Sequence, residues 1–353
     1  MGLQKNGFCD IIVPIKAFLK GLDMDSFIFA VNAVLPIILM VSIGYVLKRI
    51  GFMDQSFAKM ANKLVFRVFL PVMLFLNVYK IQNIGEMNFG YVIYALVALT
   101  VIFLIALPIV MILTPQKERR GVLLQAAFRS NYALIGIPLA QSLFGEEGVM
   151  VASLLSAVTI QLLNILAVVS LSVFREGAGK PNIRKIVREI LHNPLIIGVV
   201  CGLLALAVRA LFVNFDISFR LTNLTPVYKV MDYLSSMATP MALLVLGAQF
   251  EFSAVASMKK EIIAGVLMRA VIVPVIGLGA AYLFFFPTYF GGAHFASFVA
   301  MFATPVAVSS VPMAQEMESD AVLAGQLVVW TTIISAFSVF VCAWLLRMAG
   351  VFG

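Results

Sequence analysis

The chain has 353 residues, 62% of them hydrophobic and 12% charged, with a mean hydropathy of +1.04. A soluble domain carries about a quarter of its residues charged, and 25 Lys/Arg with 17 Asp/Glu cannot cover a water-exposed surface of this size. The composition argues against a soluble enzyme, a nucleic-acid binder and a disulfide scaffold, and a net charge of +8 is what basic cytoplasmic loops give a membrane protein.

Residues 1–23 read as an amino-terminal extension. The stretch 10–19 is amphipathic, is interrupted by Pro14 and carries Lys16, with Lys20 just beyond it, which suits a segment lying on a membrane surface. It lacks the long apolar core and cleavage site of a signal peptide. Met24, just before a polar-then-apolar helix start, is the alternative native start.

A helix needs about 20 mostly apolar residues to cross the hydrocarbon layer. Ten segments meet or approach that length: 26–47, 64–79, 90–114, 121–144, 148–174, 194–213, 229–250, 262–286, 294–315 and 321–346. The second is the shortest and holds Arg67 and Pro71. None alternates as a membrane β-barrel strand does, so the expected fold is an all-α integral membrane protein of ten transmembrane helices. Cys9, Cys201 and Cys342 lie far apart, two of them in apolar runs, and read as small hydrophobes that form neither disulfide nor metal site.

With the start of the first helix outside, the odd-numbered connections hold fourteen Lys and Arg, five of them in 175–193, against seven on the other side. Positive-inside bias then puts those connections in the cytoplasm and both termini outside, in a multi-pass inner-membrane protein.

The two halves resemble each other. Ile137-Pro138-Leu139-Ala140-Gln141 precedes Glu146-Glu147 and a long span; Val311-Pro312-Met313-Ala314-Gln315 precedes Glu316, Glu318, Asp320 and the last span. Leu70-Pro71 pairs likewise with Thr239-Pro240. The chain divides into a first repeat, 24–174, a short basic loop, 175–193, and a second repeat, 194–353. Five spans per repeat invert the second against the first. Inverted repeats with proline-broken helices at matched positions are the mark of secondary transporters that bind substrate between the repeats.

A single membrane proline usually does no more than shape packing. Here two prolines stand in matched positions among polar neighbours, Asn131 and Gly136 with Pro138, and Thr304, Pro305, Ser309 and Ser310 with Pro312. Such breaks offer carbonyls, hydroxyls and positive half-helix ends that suit an anion. Arg67, Arg129, Arg209 and Arg269 lie within spans. Arg67 and Arg129 fall near cytoplasmic ends, where snorkelling is the expected role, and together they make a vestibule that attracts anions. No span holds a carboxylate near its middle, which argues against a carboxylate proton relay. Sodium held by carbonyls and hydroxyls stays open. With two histidines, no HExxH, no GxGD and no P-loop, an enzyme is not indicated. Uncoupled, a monovalent anion gains about 2.3 kcal/mol per 100 mV on leaving a negative-inside cell, a bias toward export of about fiftyfold.

Five ordered motifs carry a wider resemblance: residues 32–49 (NAVLPIILMVSIGYVLKR), 129–145 (RSNYALIGIPLAQSLFG), 192–198 (HNPLIIG), 238–247 (ATPMALLVLG) and 311–316 (VPMAQE). From Met24 to the carboxy terminus the chain resembles the auxin efflux carrier family, which includes plant auxin exporters and bacterial malate and malonate permeases. The resemblance implies two inverted five-helix repeats whose fourth and ninth helices unwind and cross at their prolines, Pro138 and Pro312. A scaffold part and a transport part would rock about the substrate. It implies that Asn131, seven residues before the crossover proline, contacts a substrate carboxylate, and it matches Asn193 to the Asn that opens the sixth helix. The plant members' long insert between helices five and six is missing, so its phosphorylation-based control does not transfer.

The expected substrate-binding set is Asn131, Gly136, Pro138, Gln141, Asn193, Thr304, Pro305, Ser309, Ser310 and Pro312, with Arg67, Arg129 and Gln315 as vestibule candidates. The expected function is a secondary carrier that moves small organic anions by alternating access. Its substrates would be mono- or dicarboxylates such as malate, malonate or auxin-like acids. No cofactor or metal is expected, and a coupling ion, Na+ or H+, stays open. Partners would be the substrate and lipid, with a homodimer left open and no nucleic acid. The alternative is an anion channel or uncoupled pore of the same fold.

Overall fold

The computed structural model describes residues 24–80, 89–175, 188 and 191–352, so the 1–23 extension and most of the 175–193 connection lie outside the described residues. Among the described residues the regular elements are helices, joined by one isolated antiparallel bridge. In chain order the principal ones are α1 (Met24–Arg49), α2 (Gln55–Tyr79), α3 (Phe89–Leu113), α4 (Lys117–Phe128), α5 (Ile137–Val173), α6 (Pro194–Asn214), α7 (Thr225–Gln249), α8 (Lys259–Phe285), α9 (Gly292–Phe302), α10 (Ser310–Glu316) and α11 (Ala321–Met348). Among the described residues seven are long and apolar enough to cross a membrane: α2, α3, α5, α6, α7, α8 and α11.

Several sequence boundaries move. The second span is a 25-residue helix that starts at Gln55, because the amphipathic turns 55–64 continue into the apolar run. The fourth and ninth segments are not continuous helices; α4, α9 and α10 have 12, 11 and 7 residues, each short of a crossing alone. α5 bends at Phe144 (φ −147°, ψ 25°) and Gly145 (φ 60°, ψ −147°), a left-handed position that glycine tolerates.

The breaks do not fall at Pro138 and Pro312, although Pro305 lies in the second. Pro138 opens α5 after a wide π turn, Tyr132–Gly136, and Pro312 lies inside α10. The same π turn precedes Pro71 in α2 (Val65–Phe69) and Pro274 in α8 (Met268–Ile272). Proline cannot donate to the carbonyl four residues back, and its ring presses on that carbonyl. An i→i+5 turn moves the carbonyl away, so the helix carries on past the proline.

Close packing rests on small residues, as expected where lipid removes the hydrophobic drive for helix association. α7 lies on α1 with Gly247 against Val41 O and Gly44 against Leu244 O, positions where a Cβ would meet backbone. α2 lies on α6 through Gly198 and Gly202, and α7 runs along α2. α1, α2, α6 and α7 thus form one packed group. In the second group α9 packs on α5, α4 on α3 and α5, and α8 on α9 and α11; α11 also touches α1.

The connections gather on two faces. On one, Arg119 at the start of α4 donates to Glu261 Oε1 of α8 and Asp320 Oδ2 before α11, each at 3.0 Å. Arg175 pairs with Glu318 there, and Arg67 Nε lies 3.5 Å from Glu316. On the other face Lys80 Nζ meets Asp232 Oδ1 at 3.1 Å, Tyr91 stacks edge-on against His294, and Phe144 lies against Phe352 near the carboxy terminus.

Candidate functional site

α4 starts at the first face and α9 at the second. At 1.5 Å per residue their 12 and 11 residues reach about 18 and 16 Å inward, so they end near the middle of a hydrocarbon layer about 30 Å thick. There Arg129 (φ −89°, ψ 97°) and Asn131 (φ −82°, ψ 53°) leave helical geometry, and the chain after Phe302 stays irregular until Ser309. Each break satisfies the other's backbone. Asn131 N donates to Pro305 O at 2.8 Å, Ala307 N donates to Arg129 O at 3.3 Å, and Ser130 bridges Val306 in antiparallel fashion. Thr331 Oγ1 of α11 accepts from Val306 N at 3.1 Å. Irregular backbone at this depth requires such partners.

The freed carbonyls meet Arg269, whose side chain is fully buried. Its guanidinium donates to Thr304 O (2.6 Å), Met301 O (2.7 Å) and Ala127 O (3.4 Å), and so places a positive charge at the carboxy-terminal ends of both α4 and α9.

Beside the paired breaks lies a cavity of about 230 Å³. Leu70, Met73, Leu74 and Asn77 of α2, with Ala238, Thr239 and Ala242 of α7, form one wall. Arg129, Ser130, Asn131 and Tyr132 face them, with Ile160, Leu163 and Asn164 of α5 and residues 307–309. The cavity therefore lies between the two packed groups. A larger groove of about 440 Å³ between α8 and α11 is mostly apolar, including Val271, Val275, Leu278 and Phe337, with Tyr282, Ser338 and Cys342 as its polar side chains.

Arg129 dominates the polar wall. It is 2% exposed and donates to Gln125 Oε1 (3.0 Å), Asn164 Oδ1 (3.1 Å), Ser309 Oγ (2.9 Å) and Met313 Sδ. Every one of these partners is neutral. Asn131 Nδ2, Asn164 Nδ2 and Ser130 Oγ are buried without a hydrogen-bond partner. A cation with two spare amide donors is a surface that an anion's oxygens would satisfy. Arg129 is therefore interior, buried where α4 ends, and does not snorkel to a surface.

Of the other residues singled out from sequence, Ser309 and Asn131 line the cavity. Thr304 is fully buried and donates to Ala300 O at 2.7 Å, while Pro305 O serves the bridge. Gly136 packs beside Tyr132 and Ala300. Ser310 Oγ and Gln315 Oε1 are buried without partners, on α10 and outside the cavity lining. Asn193 caps α6, its Oδ1 accepting from Leu195 N at 3.0 Å. Gln141 and Arg67 are exposed and away from the cavity. Thr304 Oγ1 donates to Ala300 O, and Ser309 Oγ accepts from the Arg129 guanidinium at 2.9 Å, which puts a positive charge beside that hydroxyl. Asn77, Gln125, Ser130, Asn164 and Thr239 were not singled out from sequence, and Arg269 was named only among the arginines within spans. For Asn164 there was a signal, an amide inside an otherwise uncharged span.

Residues 29–343 match the family described as membrane transport protein. An uncharacterized transporter of Methanothermobacter thermautotrophicus is 25% identical over 333 residues, covering 88% of this chain and 97% of that protein. An uncharacterized transporter of Methanocaldococcus jannaschii is 25% identical over 223 residues, covering 61% of this chain and 67% of that protein. A multi-pass helical chain with this match is a transport protein and not an enzyme, and it belongs to the membrane transport protein family, that of the auxin efflux carriers.

Proposed function

We propose that the chain is a secondary carrier of small organic anions, mono- or dicarboxylates, and that the cavity between the α2/α7 wall and the paired breaks is its substrate site. The observation that carries this reading is the buried Arg129 guanidinium beside the unpartnered amides of Asn131 and Asn164. The site moves between the two sides as α1, α2, α6 and α7 shift against the remaining helices. In this reading α4 with the start of α5, and α9 with α10, each make one crossing, for ten in all, arranged as two inverted repeats. The shared face of Arg119, Glu261, Asp320 and Glu318 supports that count, as does the lodging of Phe352 on the opposite face. The membrane is the inner membrane, with the more basic face cytoplasmic and both termini outside.

The test is uptake into proteoliposomes of labelled mono- and dicarboxylates, with and without sodium and pH gradients. A carrier saturates at micromolar to millimolar substrate, whereas a channel does not. Asn131→Ala removes a donor in a water-poor site, which costs about 1–3 kcal/mol, or about 5- to 150-fold in affinity. Wild-type uptake per folded molecule by that variant would remove Asn131 from the site, and a panel with no transported carboxylate would refute the reading.

A further inference from the structure

Arg129 differs from Arg119 and Arg269. Arg119 pairs with Glu261 and Asp320, and Arg269 is surrounded by carbonyls at two helix ends. Arg129 has only neutral side chains around it, and among the described residues no carboxylate pairs with it. Its partners Gln125, Asn164 and Ser309 belong to α4, α5 and the second break, in one packed group, while Met313 lies on α10, which packs on α11 and also touches α2 and α7. The guanidinium therefore travels with that group. The wall it must pass is mostly apolar: Leu70, Met73 and Leu74 of α2, Ala238 and Ala242 of α7.

We propose that the carrier is an obligatory anion exchanger, in which the fixed charge of Arg129 lets the site cross only when an anion is seated on it. This rests on the anion-carrier reading above. An unpaired arginine at the centre of a bilayer is disfavoured by about hundredfold even on the most permissive insertion scale. A seated monoanion turns that charge into a neutral, hydrogen-bonded pair, so the loaded site crosses while the empty one stays where it released its substrate. Each outward anion is then matched by an inward one. For two monoanions the cycle moves no net charge, in place of the potential-driven export that an uncoupled carrier would show.

The test uses purified protein in liposomes loaded with labelled pyruvate, malonate, malate or indole-3-acetate, diluted into buffer with or without the same unlabelled anion outside. The expected result is that external anion speeds release of label about hundredfold, and that a potassium diffusion potential leaves pyruvate exchange unchanged. Arg129→Gln should bring the two release rates to within a few-fold of each other, and Arg129→Lys, which keeps the charge, should retain the stimulation. Release into anion-free buffer as fast as exchange, in the wild-type protein, would overturn the proposal and leave the carrier reading standing. Release of no anion under either condition would overturn both.

Discussion

Replacing Arg269 by methionine should loosen the paired breaks, and the size of the effect follows from its bonds. Two donate at 2.6 and 2.7 Å to Thr304 O and Met301 O, while the third, at 3.4 Å to Ala127 O, is long enough to leave out. A hydrogen bond from a charged group contributes about 1.5–3 kcal/mol, so the pair is worth about 3–6 kcal/mol. Methionine fills the space and removes a buried charge, which offsets part of the loss. It still leaves the Met301 and Thr304 carbonyls orphaned at the end of α9, so about 3 kcal/mol should remain. For a chain this large that is about 5 °C in Tm, scaling from soluble domains. Thermal unfolding of detergent-purified protein, followed by size-exclusion chromatography, measures it. Arg269→Lys keeps the charge but not the fork, and should fall between the two. A methionine variant melting with the wild type would refute the idea that Arg269 holds the breaks.

Gly247→Ala places a Cβ on Val41 O and should force α7 from α1, costing about 1–3 kcal/mol; an unchanged Tm would mean the helices are not packed there. Gly51→Ala gives a control of another kind, since nothing surrounds that position and only its φ of +78° resists a side chain; its cost should stay near 1 kcal/mol. Arg67→Ala breaks the pair with Glu316, whose arginine side chain is 58% exposed, and should change Tm by less than about 1 kcal/mol equivalent; a large loss would mean that α2 and α10 are locked together by that bridge. A cysteine at position 180 should react with impermeant reagent only from the cytoplasmic side, and labelling of intact cells would reverse the orientation.

Apolar run length made most of the fold legible, because a membrane span is a composition signal of fixed length. The runs at 90–114 and 194–213 lie within a residue of α3 and α6. Where the signal is weaker the boundaries slipped: the first turns of α2 are amphipathic, and the breaks fall at Arg129–Asn131 and 303–309, ahead of Pro138 and Pro312, with only Pro305 inside one of them. Proline marks a strain, but a π turn relieves it locally at Pro71, Pro138 and Pro274. The cavity lining was legible at Asn131 and Ser309, which lie on the breaks themselves, while Arg129 was named only as a vestibule cation. It was not legible at Asn77, Asn164 and Thr239, because they reach the cavity from other helices through tertiary packing that no local pattern encodes. Asn193 shows the reverse: an asparagine that draws attention in sequence is here a helix cap.

The most direct test of the anion site is a thermal shift of the purified protein against mono- and dicarboxylates at equal ionic strength, with choline as the only cation. The account predicts that at least one carboxylate raises the Tm of the wild-type protein by mass action, that the same compound does nothing for Arg129→Gln, and that organic cations of similar size have no effect on either. Equal stabilisation of wild type and Arg129→Gln by that carboxylate would place the anion elsewhere and contradict the account.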